Sequence, residues 1–549
     1  MRNIIRATWN RLFTATAATS VVLMAGALVI ILAPMIWRGA QAVLFRGTVE
    51  FRKMQHDEPL FNRGDAAGLQ EQLAVAEAAR RPVYEMVSDF SRGIDVAPLE
   101  DQARHLYRQL KRQLRNRAEL AGDGADAGEL VDQARELRDT LLEALESHDR
   151  ERAASLVRNV IECDRRDAFD GTVGEGFFQL AERYALSLES VDPARREEYL
   201  SALREVKDIV VRLLGPLPGE SPEADLAQYR YGATRWDQAQ ALLEELLWRT
   251  EWVAVAENQP LQQFRRPREG LFAGTELAAM FPYVRDHLEE MMLPQATVYW
   301  QYFIDDSTPG HYFGGVGPEI LGTLLLTVLS MCFALPVGVM TAAYLIECTR
   351  GGRFTRVIRA CINTLAGVPS IVFGLFGLAL FIDVVQPTLG LESEISIFAG
   401  ALTLAVLVLP IIIRASEEAI RAVPRAYKEA SLSLGAGGLR TFLTVTFPAA
   451  LPGILTGVIL SMSRAAGETA PILFTAAVAY RIGMPGSIFR GGTRTLSYSS
   501  YDMAVSDRMA MDVPHNQYGM IMTLILLVLG LNIAAVIVRS RLSRKLRGQ

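Results

Sequence analysis

An arginine and a glutamate stand four residues apart in SMSRAAGETAPILFTAA, residues 461–477, inside a long apolar run. Arg464 lies about 13 residues into that run, roughly 20 Å along a helix rising 1.5 Å per residue. That depth is near the middle of a bilayer, where a charge costs on the order of 2.5–3.5 kcal/mol even on an insertion-based scale. An i,i+4 ion pair on a helix surface returns only about 0.2–0.5 kcal/mol, and arginine before glutamate is the weaker order. A helix staple therefore does not account for Arg464 and Glu468. Two readings remain: a buried tie to a neighbouring helix, or the polar lining of a path on which a guanidinium meets an anion. Pro471, three residues after Glu468, is placed to break the helix and open such a site. A second pair, Arg414 and Glu417 in IIIRASEEAIRAVP, sits at the inner end of another apolar run. Its competing reading is a positively charged anchor at the cytoplasmic membrane edge.

Other chemistries find no support. No G-x-x-x-x-G-K-[ST] occurs, and GAGGLR at 435–440 follows a helical stretch rather than a strand, so the chain carries no recognisable nucleotide site of its own. No G-x-S-x-G is present. The four cysteines, Cys163, Cys332, Cys348 and Cys361, form no C-x-x-C, and the six histidines are scattered. Neither a disulfide framework nor a metal site is expected.

The elements that must position these charges are membrane spans. Half of the 549 residues are hydrophobic and the net charge is −5, but the average joins two unlike regions. Apolar runs at 16–36, 319–346, 358–385, 395–413, 451–479 and 519–538 approach or exceed the roughly 20 residues that cross a hydrocarbon core. The first is too long for a signal-peptide core, which favours an uncleaved anchor over a cleaved leader. Basic residues gather in the first turns, at Arg350, Arg353, Arg356 and Arg359, between Arg414 and Arg440, and from Arg539 to Arg547. The positive-inside rule makes those segments cytoplasmic, with both termini inside. This predicts a cytoplasmic tail (1–15), a first span (16–37), an outer insertion (38–318), a five-span core (319–538) and a basic tail (539–549). The 480–518 segment, mixed in charge, is placed outside.

The insertion reads as helical. PLEDQARHLYRQLKRQLRNRAEL and ELVDQARELRDTLLEALESHDRERAASLVRNVI repeat apolar residues three and four apart, as in an antiparallel bundle or coiled-coil hairpin. Asp192 before Pro193 is an N-cap followed by proline at the first helical position. Gly215-Pro216 and Pro218-Gly219 interrupt the pattern.

Between the fourth and fifth spans lies VPRAYKEASLSLGAGGLRTFLTVTFPAALPG, within 421–448 and its flank. Pro424 can start a helix and Gly435 can end it in the left-handed conformation. A second short helix is expected from Leu439 to Thr446, before Pro448. This helix–turn–helix, with small residues on its surface, resembles the coupling loop of ABC-importer permeases, E-A-A-x-x-x-G followed by I-x-L-P. Glu429, Ala430, Ser431, Gly435 and Pro448 match in register; serine replaces the second alanine, and Val445 and Phe447 replace isoleucine and leucine. AGVPSIVFGLFGLALF, GGVGPEILGTLLLT and RAAGETAPILFTA are similar to the membrane subunits of ATP-driven phosphate importers, the last most of all to their A-type subunit.

That resemblance implies an all-α membrane protein: a six-span type I ABC-importer permease core with a helical periplasmic insertion, resident in a bacterial inner membrane. It implies a lipid bilayer and three protein partners: a homologous second permease, an ATPase dimer gripping the coupling loop, and a periplasmic phosphate-binding protein. ATP and magnesium would sit on the ATPase and no cofactor on this chain; nucleic acid plays no part. The resemblance assigns Arg464 and Glu468, with Arg414 and Glu417 second, to the anion path. A carboxylate there would accept the acidic proton of phosphate and disfavour fully ionised oxyanions. The alternatives are a permease for sulfate or molybdate, and a membrane-anchored signalling or envelope-interaction protein working through the insertion.

Overall fold

The computed structural model describes residues 2–121, 124–164, 166–218, 233–253, 262–349, 352–479, 481–483, 486–505 and 514–546. Gly219, Arg350, Arg547 and parts of the 480–518 segment lie outside the described residues. The chain forms two compact units: Met1–Phe45 with Thr297–Gln549, and Arg46–Ala296.

Helix α1, Arg2–Ala40, is continuous through the expected tail and first span. It packs on the last helix, where Arg38 Nη1 donates to Tyr518 Oη at 2.9 Å. A Cβ on Gly39 would come within 2.5 Å of Met522 Cβ, so the two backbones approach closely.

The Arg46–Ala296 unit holds α2 (Val49–Asp57), α3 (Ala66–Ile94), α4 (Ala97–Ala121), α5 (Gly124–Glu146), α6 (Arg150–Ile161), α7 (Glu175–Ser190), α8 (Arg196–Leu214), α9 (Trp236–Leu247) and α10 (Met280–Met292). The helical period buries two large cores among the described residues. One gathers Val83, Phe90, Tyr199, Phe272 and Phe281; the other gathers Leu110, Leu141, Phe169, Phe177 and Tyr184. Asp192 caps the turn before α8, accepting from the Ala194 amide at 3.0 Å. Gly215, at φ 92°, ends α8. Buried Arg80 ties α3 to α2 and α10: Nη1 reaches Glu50 Oε1 at 2.5 Å and Nη2 reaches the Met291 carbonyl at 2.7 Å. One hairpin, Trp248–Val253 against Gln262–Pro267, stands among the helices of this mostly helical unit.

The insertion was expected to run to 318, but 297–316 fold with the membrane unit. Buried Tyr302 accepts from the Val316 amide through its carbonyl at 2.7 Å, and its hydroxyl donates to the Asn516 carbonyl at 3.4 Å. The Tyr299 amide donates to the Val43 carbonyl at 2.8 Å.

The membrane core follows: α11 (Gly317–Ala343), α12 (Arg353–Leu365), α13 (Ser370–Gly377), α14 (Ile397–Arg421), α15 (Arg425–Ser433), α16 (Gly438–Thr441), α17 (Phe447–Gly467), α18 (Leu496–Val505) and α19 (Pro514–Leu546). Six helices among the described residues are long and apolar enough to cross a membrane. Helix α14 is central, packed by α11, α13 and α17. Small residues allow this: a Cβ on Gly457 would stand 2.3 Å from Ala415 Cβ, and one on Gly338 would stand 2.6 Å from Ile412.

Two runs are shorter than the sequence suggests. The 358–385 run divides at Gly367–Pro369, because proline disfavours the helical conformation of the residue before it; α12 stays outside the span, which covers Ser370–Thr388. The 451–479 run is helical only to Gly467. A helix continued through Pro471 would drive its ring into the carbonyl four residues back, which is Gly467. Pro471 therefore does break the helix, but one turn upstream of itself.

Candidate functional site

Helix α17 brings Arg464 into its last turn, and Glu468 is the capping residue, already extended at φ −79°, ψ 131°. Arg464 Nε donates to Glu468 Oε1 at 3.2 Å. The pair is thus a bridge across a helix end rather than a staple within a helix. The arginine side chain keeps 41% of its surface exposed and the glutamate 19%. Arg464 is therefore turned out of this chain's own core. Next to Arg464, Ser463 Oγ donates to Asn532 Oδ1 of α19 at 2.7 Å, holding α17 in place. Beyond it, Ser497 Oγ donates to the Glu468 carbonyl at 3.2 Å. After the break Pro471 opens a single tight turn, Ile472–Phe474.

Arg414 and Glu417 do not form the second pair expected of them. Arg414 Nη2 donates to Asn363 Oδ1 at 2.5 Å. Glu417 lies 3.4 Å from Arg359 Nε and 3.7 Å from Arg421. Stronger partners on α12 draw them apart, Glu417 to Arg359 and Arg414 to Asn363. Both acid and base clamp α12 to α14. No hydrogen bond or ion pair joins them to Arg464 or Glu468 among the described residues.

The 421–448 loop has the expected turn. Helix α15 starts after Pro424 and buries none of its side chains. Gly435 takes φ 84°, and its amide donates to the Leu432 carbonyl at 2.9 Å. Ser431 Oγ meets Thr441 Oγ1 at 3.0 Å, closing the turn, and Lys428 pairs with Glu347 of the segment following α11. Glu429 and Ala430 are exposed, beside Leu434 at 89% and Leu439 at 74% exposure. The second short helix does not stop before Pro448. Gly438–Thr441 runs through one wide turn, Phe442–Thr446, into α17, with the Phe447 amide donating five residues back to Phe442. That widening accommodates Pro448, which has no amide to donate and a ring that crowds the preceding turn. The part of the loop from Gly438 onward is therefore continuous with the helix that carries Arg464. An apolar groove of about 770 Å³ flanks it, lined by Leu335, Met340, Phe442 and Phe447 among others, well away from Arg464.

Sequence reasoning missed one polar cluster. Arg494, 2% exposed, pairs with Asp306, lies 3.4 Å from Glu319 and donates to Ser307 Oγ at 2.9 Å. His311 is 4% exposed, and its ring nitrogens have no hydrogen-bond partner among the described residues. Burial first, and then the nearby Arg494 charge, push its pKa down to about 4. The signal was an arginine in GGTRTLSY and a glutamate opening an apolar run, two charges distant in sequence and unremarked.

Residues 334–548 match the family model described as the binding-protein-dependent transport system inner membrane component. The chain is 36% identical over 249 residues to a phosphate transport system permease protein, PstA 1, of Mycobacterium tuberculosis, covering 45% of this chain and 77% of that one. It is 36% identical over 250 residues to PstA of Mycobacterium leprae, covering 46% and 79%. A probable ABC transporter permease protein of Bacillus subtilis, YqgI, is 39% identical over 163 residues, covering 30% and 53%. The MetNI methionine ABC transporter, solved in inward-facing conformations, is 22% identical with a TM-score of 0.31, covering 42% of this chain and 94% of that one.

Proposed function

Since this chain belongs to the PstA family of phosphate transport system permease proteins, we propose that it is the permease subunit of an ATP-driven inorganic phosphate importer and forms half of the translocation path. The observation that carries the reading is the Arg464–Glu468 bridge at a helix end, with the guanidinium left uncovered by the chain's own helices. A cation in the last turn of a membrane-spanning helix, with its guanidinium left open on one side, is suited to a path completed by a second chain. In this reading a PstC-like permease supplies the other half. A PstB-like ATPase dimer grips Glu429, Ala430, Ser431 and the Gly435 turn and holds ATP and magnesium. A PstS-like periplasmic binding protein delivers phosphate, and both termini of this chain are cytoplasmic.

The chemistry is positioning and electrostatics; no covalent bond is broken on this chain. Arg464 offers charge-assisted donors to an oxyanion, and Glu468 both orients the guanidinium and accepts a proton from monohydrogen or dihydrogen phosphate. Sulfate, which has no such proton at neutral pH, leaves the carboxylate facing a like charge. ATP binding favours one of two permease conformations through its different contacts with each. The wide turn after α16 gives that change a direct route, since the helical run that leaves the Gly435 turn continues from Gly438 through α17.

The test is uptake of labelled phosphate by proteoliposomes holding the assembled complex, with and without excess sulfate. Uptake dependent on ATP and insensitive to sulfate is expected. Sulfate competing as well as phosphate would overturn the selectivity argument and favour an importer of broader oxyanion range.

A further inference from the structure

Arg494 is the largest fully buried side chain among the described residues, with a side chain only 1% exposed. Its partners come from two stretches. Asp306 and Ser307 precede the first helix of the core, and Glu319 lies in that helix's first turn. Asp306 has a second bond: its Oδ2 accepts from the Gly483 amide at 2.7 Å. The guanidinium thus fastens the chain that returns after the α17 break onto the outer end of α11.

What lies on that fastened chain connects it to the candidate path. The Arg494 carbonyl rests against Gly322, where a Cβ would come within 2.0 Å of it. The Leu496 amide donates to Thr323 Oγ1 at 3.0 Å. One residue on, Ser497 Oγ donates to the Glu468 carbonyl at 3.2 Å. The Thr493 amide donates to the Ala476 carbonyl at 2.8 Å, so the same strand of chain also braces the stretch that leaves Glu468. Glu468 itself has left its helix and has no α-helical bonding to fix it. Besides its bond from Arg464, its carbonyl is held by Ser497, and the chain that follows it is held at Ala476 by Thr493.

We infer that Arg494 is a positioning residue for the Arg464–Glu468 pair, acting through Ser497 and the Thr493–Ala476 bond. The inference rests on the proposed transport function for its physiological meaning, though not for its geometry. A planar guanidinium is required because it must address Asp306, Ser307 and Glu319 in different directions. Lysine supplies one point charge and cannot span them. Loss of the guanidinium frees residues 493–497 from α11 and lets Glu468 drift. Misplacement of a binding group by about 1 Å is enough to cost on the order of 100-fold in a positioned step.

The experiment uses the assembled complex, with the chain's four cysteines replaced by serine and a single cysteine at Thr469→Cys. Arg494→Gln and Arg494→Lys are compared with the parent and with Arg490→Gln, an exposed residue whose partner is exposed Glu392. Two readouts are taken: the rate of maleimide labelling at position 469 without substrate, and KM against Vmax for phosphate uptake. Both Arg494 variants should label faster by several-fold and raise KM by about tenfold or more, while Arg490→Gln changes neither. Should Arg494→Gln fail to assemble, Arg494→Gln with Glu319→Gln removes the stranded carboxylate, and the same two shifts are expected. Parental labelling and KM in an assembled Arg494 variant, or in that double variant, overturn the inference. Shifted labelling in the Arg494 variants when the parent complex itself takes up no phosphate leaves the positioning role standing and overturns the transport reading instead.

Discussion

Gly435→Val isolates one physical term at the turn proposed as the ATPase dock. Gly435 has φ 84°, and no heavy atom lies within 4 Å of where a Cβ would stand. Valine there meets no neighbour, so its whole effect is backbone strain. The left-handed conformation costs an L-residue roughly 1–2 kcal/mol, with β-branched residues among the worst suited to it. Little opposes that strain, because α15 buries no side chain; the turn is held mainly by Ser431–Thr441 and Lys428–Glu347. At about 1.4 kcal/mol per factor of ten, the native turn loses about 5- to 30-fold in relative population. The assay is phosphate transported per ATP hydrolysed in the reconstituted complex, with limited proteolysis reporting the loop. Gly435→Asn should fall between parent and valine, since asparagine enters this conformation more readily. Gly437→Ala and Gly438→Ala also meet open space but keep a negative φ, and should be near-parental. Normal coupling in Gly435→Val, or equal damage from Gly437→Ala, would refute the assignment of this turn as the dock.

Further outcomes follow from the geometry. Arg464→Ala should abolish uptake while insertion and complex assembly stay intact, since its side chain is partly exposed and supports no core; a near-parental uptake rate sinks its role in the path. A double-mutant cycle on stability should give a coupling of about 0.5–1 kcal/mol between Glu417 and Arg359 and almost none between Glu417 and Arg414; a coupling confined to Arg414 would contradict the observed pairing. His311 stays neutral in the fold down to about pH 4, whereas the unfolded chain takes up its proton near 6.5. Stability from this residue is therefore complete above pH 6.5 and lost as pH falls toward 4, by about 2 kcal/mol between pH 7 and pH 5. His311→Gln should lose correspondingly less on acidification, and identical pH slopes in thermal unfolding would refute the point.

Much of this was legible because membranes impose simple rules. Apolar length fixed where helices could cross, and the turn at Gly435 followed from the conformational freedom of one residue type. The break near Glu468 was legible in kind but not in place: the clash of Pro471 is with a carbonyl four residues earlier, so the disruption appears upstream of its cause. Arg414 and Glu417 misled because proximity in sequence suggested a pair, whereas the strongest nearby partners, Arg359 and Asn363, belong to a helix about fifty residues away. Arg494 was invisible for the same reason. Its meaning depends on Asp306 and Glu319, nearly two hundred residues upstream, and no periodicity carries information across that distance.

The hydrogen bond between the Tyr299 amide and the Val43 carbonyl puts the departing and returning chains side by side at the membrane unit's edge. Everything from Arg46 to Ala296 is strung between those two neighbouring points. The insertion site is thus a natural port: closing it needs only a short turn. A few residues of glycine and aspartate could span the gap in place of the helical unit, and an unrelated domain with adjacent termini could be seated there. The membrane unit would then keep its own chain path across the gap, whatever is seated there.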